Sequence, residues 1–262
     1  MSTWGVRIEN PSGTIVFDAD AAGHTYRGTA TRVVSASKDL TALYPWVFEY
    51  TAPTSAVPVF TYELSTSAIV CPLAWYRTTG NTWRCEVFCV AWAGSDEQST
   101  ITNVEPVVHV FAPGPQSGGW GMRLYTAAGA VTYDLERSPL FPREVISFPS
   151  RFGVKNGAIA GTGDWNAYQG GDSAARSSSF SKIGVFGGCA GILSTDILSL
   201  GEPDITYYYG WYLDTGVLKR VRFWALDNRP FGGSADPNDP DIYRELRLQE
   251  CRAVLFDASI LT

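Results

Sequence analysis

The sequence predicts an all-β protein made of two tandem, related β-sandwich-like domains, each opening with a Trp-Gly β-hairpin. The composition is the first reason: 9 Trp, 13 Tyr and 13 Phe accompany 26 Gly and 15 Pro. Aromatic residues favour strands, and Gly and Pro favour turns, so both sets disfavour helices. The second reason is an internal repeat, because a segment near the start recurs without a gap 116 residues later.

The repeated segment predicts a β-hairpin in each domain. Residues 4–18 read WGVRIENPSGTIVFD, and residues 120–134 read WGMRLYTAAGAVTYD. A strand, a loop with a glycine near its end and a returning strand form such a hairpin, and glycine supplies the positive φ that the loop needs. The matched pairs expected to shape the fold are Trp4 and Trp120, Gly5 and Gly121, and Gly13 and Gly129.

Short segments rich in Val, Ile, Tyr, Phe and Trp, and bounded by turn residues, are predicted strands. They are Trp4–Glu9, Thr14–Asp18, Val57–Leu64, Trp83–Trp92, Val104–Phe111, Gly121–Tyr125, Ala130–Asp134, Ile205–Leu213, Leu218–Leu226 and Arg247–Phe256. One short segment, Asp241–Leu248, is the best candidate for a helix, because it follows a turn-rich stretch.

A second, weaker similarity extends the repeat and predicts the domain boundary. Residues 105–112 read EPVVHVFA and residues 250–258 read ECRAVLFDA, so the second unit carries about 29 extra residues. Part of this excess is expected in the stretch 156–181. The Pro- and Gly-rich residues 114–119 have no apolar anchor and are the predicted linker. The predicted domains are therefore residues 1–113 and residues 120–262.

Charge and cysteine content exclude several classes of protein. The net charge is −6 and no run of Lys or Arg exceeds two, so we expect neither a nucleic-acid binder nor a polybasic membrane patch. No apolar stretch is long enough for a membrane span, and the N-terminus lacks the apolar core of a secretory signal.

Cys85 and Cys89 would lie about 13 Å apart in one strand, beyond disulfide reach. We expect all five cysteines to be reduced thiols.

The residues that carry chemistry form no catalytic signature, so we expect no enzymatic activity and no cofactor. His109 lies in a strand-like Val-Val-His-Val-Phe segment, and no G-x-S-x-G motif accompanies it. Zinc-ligand spacing is also missing from the sequence. One oxygen-rich cluster could hold Ca²⁺, although it lacks the glycine and the final glutamate of an EF-hand. Its members are Asp236, Asn238, Asp239 and Asp241.

Two long loops, Gly153–Ser181 and Asn228–Asp241, are predicted to face partners, since loops of this length are usually functional or disordered. Their aromatic residues Trp165, Tyr168 and Phe231 are the candidate binding residues. A stacking platform of Trp165 and Tyr168 would make the protein a carbohydrate-binding module or a lectin-like host-receptor binder. A hydrolase whose site carries no motif is a third hypothesis.

The hairpin also resembles a known class of protein. Trp4–Asp18 is similar to the start of small minor tail and tail-tip (baseplate) proteins of long-tailed bacteriophages: an aromatic-Gly pair, a strand ending in Asn, a Ser-Gly turn and a strand ending in Asp. The second copy departs from this pattern, since Ala127 and Ala128 replace Pro11 and Ser12. The family has no catalytic set to carry over.

The resemblance implies a structural protein of the virion, assembled in the host cytoplasm. It would dock on other phage tail proteins, either as a homo-oligomer such as a trimer or as part of a hetero-assembly. The resemblance also implies contact with a glycan or protein of the host surface. Neither nucleic acid nor a membrane span is expected among its partners.

Overall fold

A computed structural model of the chain shows an all-β protein, as the sequence predicts. It describes residues 7–9, 15–18, 24–38, 43–53, 55–92, 102–113, 123–125, 131–134, 140, 142–156, 162–163, 172–175, 181–186, 191–197, 203–227, 242–248 and 250–261. Among these residues, the regular structure is β-strand throughout, apart from one turn of 3-10 helix at Ala258–Ile260.

The described strands are numbered in chain order. They are β1 (Arg7–Glu9), β2 (Ile15–Asp18), β3 (Thr25–Thr29), β4 (Thr31–Val34), β5 (Ser37–Lys38), β6 (Leu43–Tyr44), β7 (Trp46–Thr51), β8 (Val59–Leu64), β9 (Ala68–Arg77), β10 (Thr82–Ala91), β11 (Val108–Ala112), β12 (Arg123–Tyr125), β13 (Val131–Asp134), β14 (Glu144–Phe148), β15 (Arg151–Asn156), β16 (Thr162–Gly163), β17 (Asp172–Ala175), β18 (Ile183–Phe186), β19 (Gly191–Ile197), β20 (Pro203–Asp214), β21 (Val217–Asp227), β22 (Ile242–Leu248) and β23 (Cys251–Asp257).

Two antiparallel sheets contain most of these strands. The large sheet has eleven strands in the order β16-β15-β22-β19-β20-β9-β10-β7-β4, with β21 beside β20 and β17 beside β21. The small sheet has six strands in the order β14-β23-β18-β8-β11-β3. Three two-stranded ribbons complete the described strands: β1 with β2, β5 with β6, and β12 with β13. Both large and small sheets contain strands from before and after residues 114–119.

The main core lies between the two sheets and also draws on both halves of the chain. Phe60 and Tyr62 of β8 belong to the same buried cluster as Phe148, Trp211 and Leu255. Alternate residues of a strand point to opposite faces, so the intervening residues of β8 face away from this core. The predicted division of the chain at residues 114–119 stays a prediction, because these residues lie outside the described ranges.

A second buried cluster covers the other face of the large sheet. Ile69, Phe88, Tyr212 and Phe223 belong to it, and the rings of Phe88 and Phe223 meet edge to face with centroids 5.7 Å apart. The ribbon of β5 and β6 folds over this face and places Leu43 in the cluster. This part of the large sheet is therefore buried on both faces, which explains its continuous apolar sequence.

The helix predicted at Asp241–Leu248 is wrong. Residues 242–248 form β22, which pairs with β15 on one side and β19 on the other. Leu246 pairs with both Gly153 and Leu193, so hydrogen bonds to two neighbouring strands override the weak local helix signal. The strand predicted at Arg247–Phe256 is in fact two strands, the end of β22 and β23.

The repeated segments pair in the same way in both copies. Arg7 pairs with Asp18 in the first ribbon, and Arg123 pairs with Asp134 in the second. A register shift follows at the next matched position of each copy. The Trp-Gly openings stay predictions, since their residues lie outside the described ranges; they are Trp4, Gly5, Gly13, Trp120, Gly121 and Gly129.

Candidate functional site

The binding residues predicted from the sequence lie outside the part of the chain that the structure describes. They are Trp165, Tyr168, Phe231, Asp236, Asn238, Asp239 and Asp241. The sugar-stacking platform and the calcium cluster therefore stay predictions. Among the described residues, no group of three or more His, Cys, Asp or Glu side chains could hold a metal ion. A search of those residues also finds no helix with the length and apolarity that a membrane crossing requires.

Strand β4 lies at one end of the large sheet with all four residues exposed, and the local sequence explains its position. β3 pairs with β11 in the small sheet, and after one residue the chain enters the large sheet as β4. Gly28, with a φ of 106°, lies at a register shift opposite β11. Glycine adopts this φ at little cost, so it allows the bulge, after which Thr29 still pairs with β11 before the chain enters the large sheet at Thr31.

β4 forms hydrogen bonds on one side only within the described chain. Thr31 pairs with Glu49 of β7, and no described strand pairs with the opposite side of β4. All four of its residues are exposed. Within the described chain, the outer N–H and C=O groups of this edge therefore face no paired strand, which is the arrangement that proteins usually protect with charges, proline or a covering loop.

Two of the four side chains of the β4 edge, Val33 and Val34, are apolar. Val33 is 42% exposed and Val34 is 49% exposed, because the register shift between Arg32 and Val34 turns consecutive side chains toward solvent. The third is Arg32, whose guanidinium forms an ion pair with Glu105 and lies 5.7 Å from the ring centroid of Trp46. The edge thus combines two exposed valines with one cation that pairs with Glu105 of the same chain.

A chain of polar side chains crosses the small sheet on the face away from the main core. His109 Nε2 lies 3.3 Å from Glu63 Oε2, and the hydroxyl of Tyr26 lies 3.4 Å from His109 Nδ1. Lys182 Nζ lies 3.7 Å from the other carboxylate oxygen of Glu63. A carboxylate accepts only, so a neutral imidazole that donates from Nε2 and accepts from Tyr26 at Nδ1 satisfies both contacts. His109 thus lies in β11, as its strand-like segment suggests, and each of its ring nitrogens contacts a side chain of the same sheet.

Burial lowers the pKa of His109, and the neighbouring Glu63 carboxylate opposes this effect only in part. The unfolded chain therefore binds more protons than the folded chain as the pH falls below about 6.5. We expect the free energy of unfolding to decrease over this range, until the folded protein is protonated as well. In the variant His109→Gln, this decrease in the free energy of unfolding should be absent. Urea titrations at several pH values between 7 and 5 would measure it.

His24→Gln is the matched control, because His24 is the other histidine of the chain and contacts the Val57 carbonyl instead of Glu63. The pH dependence that belongs to His109 is the part that is lost in His109→Gln and retained in this variant. A His109→Gln variant with an unchanged slope of stability against pH would show that the buried imidazole is not its source.

The cysteines of the described chain are free thiols, as expected from their spacing. Cys71, Cys85 and Cys89 are buried, and Cys251 is half-buried. Burial raises the pKa of Cys85 and of Cys89 to about 12. Neither thiol is therefore ionised near neutral pH, and neither has the thiolate character of a catalytic nucleophile.

The sequence did not single out the β4 edge. The predicted strands do not include Thr31–Val34, although this run is rich in β-branched residues, and no local signal places a strand at the edge of a sheet. Comparison of the whole chain with known proteins gives no further guide: no family model, no curated protein and no solved structure matches it.

Proposed function

We propose that this chain is a structural component of a bacteriophage tail tip or baseplate, and that it docks on other tail proteins through the edge of β4. The resemblance of Trp4–Asp18 to the start of phage tail proteins supports the class of protein. Docking is supported by one observation: Val33 and Val34 are exposed on a strand that pairs on one side only within the described chain.

Docking at this edge would proceed by strand addition. A strand of the partner continues the large sheet, and its backbone groups pair with the outer N–H and C=O groups of β4. Val33 and Val34 then lose their contact with water, which favours a partner strand with apolar side chains at the facing positions. The ion pair of Arg32 with Glu105 need not be broken, because it already lies within the chain.

The test is incorporation into phage particles. The genome that encodes the chain is altered to Val33→Lys, and an antibody against the chain labels purified particles in electron micrographs. We expect label at one end of the tail in the unmodified phage. The variant should lose at least about 90% of this label, since a tenfold loss of affinity needs only about 1.4 kcal/mol. A lysine on an open edge disfavours the addition of another strand.

Val107→Lys is the matched control, because Val107 is 43% exposed and precedes β11 instead of lying on β4. Both variants should unfold at the temperature of the native protein to within a few degrees. Particles without label in the unmodified phage would refute the tail assignment. Equal incorporation of the Val33 and Val107 variants would refute docking at β4.

A further inference from the structure

The strand order of the small sheet is symmetric about its centre. β3, β8 and β11 come from the first half of the chain, and β14, β18 and β23 come from the second half. In the first half β11 lies between β3 and β8, and in the second half β23 lies between β14 and β18. The two three-stranded groups meet where β8 pairs with β18. Because β8 and β18 are antiparallel, a half-turn about an axis normal to the sheet at their meeting line exchanges each strand with the one in the same position of the other half.

The registers of the two groups agree residue by residue. Val110 of β11 pairs with Gly28 and Phe60, and Leu255 of β23 pairs with Glu144 and Val185. Glu144 follows Gly28 by 116 residues, which is the spacing of the two repeated ribbons. Leu255 follows Val110 by 145 residues, which is the spacing of the second sequence similarity. The spacing of the sequence repeats and the hydrogen-bond registers are separate observations, and both give the same pairs of counterparts.

Two residues touch their own counterparts. Phe256 is the counterpart of Phe111, and their rings meet edge to face with centroids 5.8 Å apart. Two strands separate β11 from β23 in the sheet, so the sheet must curl to bring these rings together. Leu140 is the counterpart of His24, and its N–H donates to the His24 carbonyl at 3.0 Å. A residue can contact its own counterpart only close to a twofold axis.

We infer that residues 1–113 and 120–262 are two copies of one β-unit, related by a twofold axis that passes between β8 and β18. The contact between β8 and β18, called the seam below, is then an interface of the homodimer type within a single chain. Each copy therefore has the other copy as its binding partner. The excess of the second copy includes the β20–β21 hairpin, because four strands separate β18 from β23 where two separate β8 from β11. This inference does not rest on the proposed function.

The seam has the composition of a stable subunit interface. Leu64 pairs with Ile183 and Tyr62 with Val185, and all four side chains are buried in the main core. Gly184 leaves room for the ring of Phe256, since a Cβ at this glycine would lie 1.8 Å from its Cζ atom. An apolar, closely packed contact of this kind is typical of obligate homodimers.

The first test cuts the complete chain at the junction of the two copies. A protease recognition sequence is inserted between residues 116 and 117 of the full protein, which is purified and then cleaved. We expect the fragments to elute together as one particle in equal amounts, to separate in denaturant and to recombine after its removal. Fragments that separate in native buffer would overturn the inference.

The second test examines the contact between counterparts in the cleaved protein. Phe111→Leu and Phe256→Leu should each raise the dissociation constant of the fragments about tenfold, because each loses the same ring contact. The double variant should lose less than the product of the two effects, since the shared contact can be lost only once. Tyr76→Leu, at an exposed aromatic residue of β9, should leave the constant unchanged. Independent effects of the two Phe variants, or an equal effect of the control, would overturn the inference.

Discussion

Replacing Trp211 by alanine is expected to destabilise the protein by about 3–5 kcal/mol. The indole of Trp211 is 1% exposed and packs on the ring of Phe148, with centroids 5.3 Å apart. Its strand, β20, also pairs with Val70 of β9 at this residue, so the side chain lies where the two halves of the large sheet meet. Removal of the ring leaves a cavity that several strands would have to move to fill. Urea denaturation followed by circular dichroism measures the loss.

Tyr76→Ala is a suitable control, since Tyr76 is also an aromatic residue of a strand but is 40% exposed. We expect this variant to change the free energy of unfolding by less than about 0.5 kcal/mol. If Trp211→Ala cost no more than Tyr76→Ala, the two halves would not share the core that their strands form here.

Gly210→Ala should destabilise the protein by about 1–3 kcal/mol through overpacking. A Cβ at this position would lie 2.8 Å from the carbonyl oxygen of Val70 and 2.6 Å from Cγ2 of Ile69. The Ile69 side chain is fully buried and the carbonyl belongs to the backbone, so neither neighbour can move without displacing β9. Glycine thus permits the close passage of β20 over β9, and the same measurement of unfolding in urea quantifies this.

Gly216→Ala separates this steric effect from a backbone effect. Gly216 has a φ of 70° in the turn between β20 and β21, and a Cβ there would meet no atom within 4 Å. Its replacement should cost about 1 kcal/mol, the strain of a left-handed conformation in a residue with a side chain. Gly210→Ala should cost more than this. A smaller loss at Gly210 would mean that the two strands do not pass each other closely.

The strands that the sequence predicts best are those with strong local signals. Val57–Leu64 and Trp83–Trp92 match β8 and β10, because their β-branched and aromatic residues suit a pleated surface whatever the partner strand. Glu144–Phe148 was missed because its mixed polarity gives little local signal, and β14 forms because its backbone pairs with β23. The same long-range pairing explains the error at Ile242–Leu248, where the two neighbouring strands decide the structure.

The sharing of sheets between the two halves could not be predicted. Leu64 and Ile183 pair across the centre of the small sheet, and no property of either residue names the other as its partner. The repeat does predict related halves, but a repeat is equally compatible with two separate sandwiches. The candidate site could be predicted only in part, for the same reason. The apolar residues Val33 and Val34 can be read from the sequence, whereas the unpaired side of β4 depends on which strands pair elsewhere.

The position of β23 in the small sheet has a consequence for the order in which the protein folds. This strand lies between β14 and β18, yet it follows every other strand of both sheets along the chain. A nascent chain that has emerged from the ribosome only as far as residue 250 therefore lacks the strand that joins β14 to the rest of the sheet. Until β23 has been synthesised, Val185 lacks Leu255, its neighbour across the strand pair in the main core. Folding of the small sheet must therefore wait for β23, and before that point its unpaired strands are exposed to self-association.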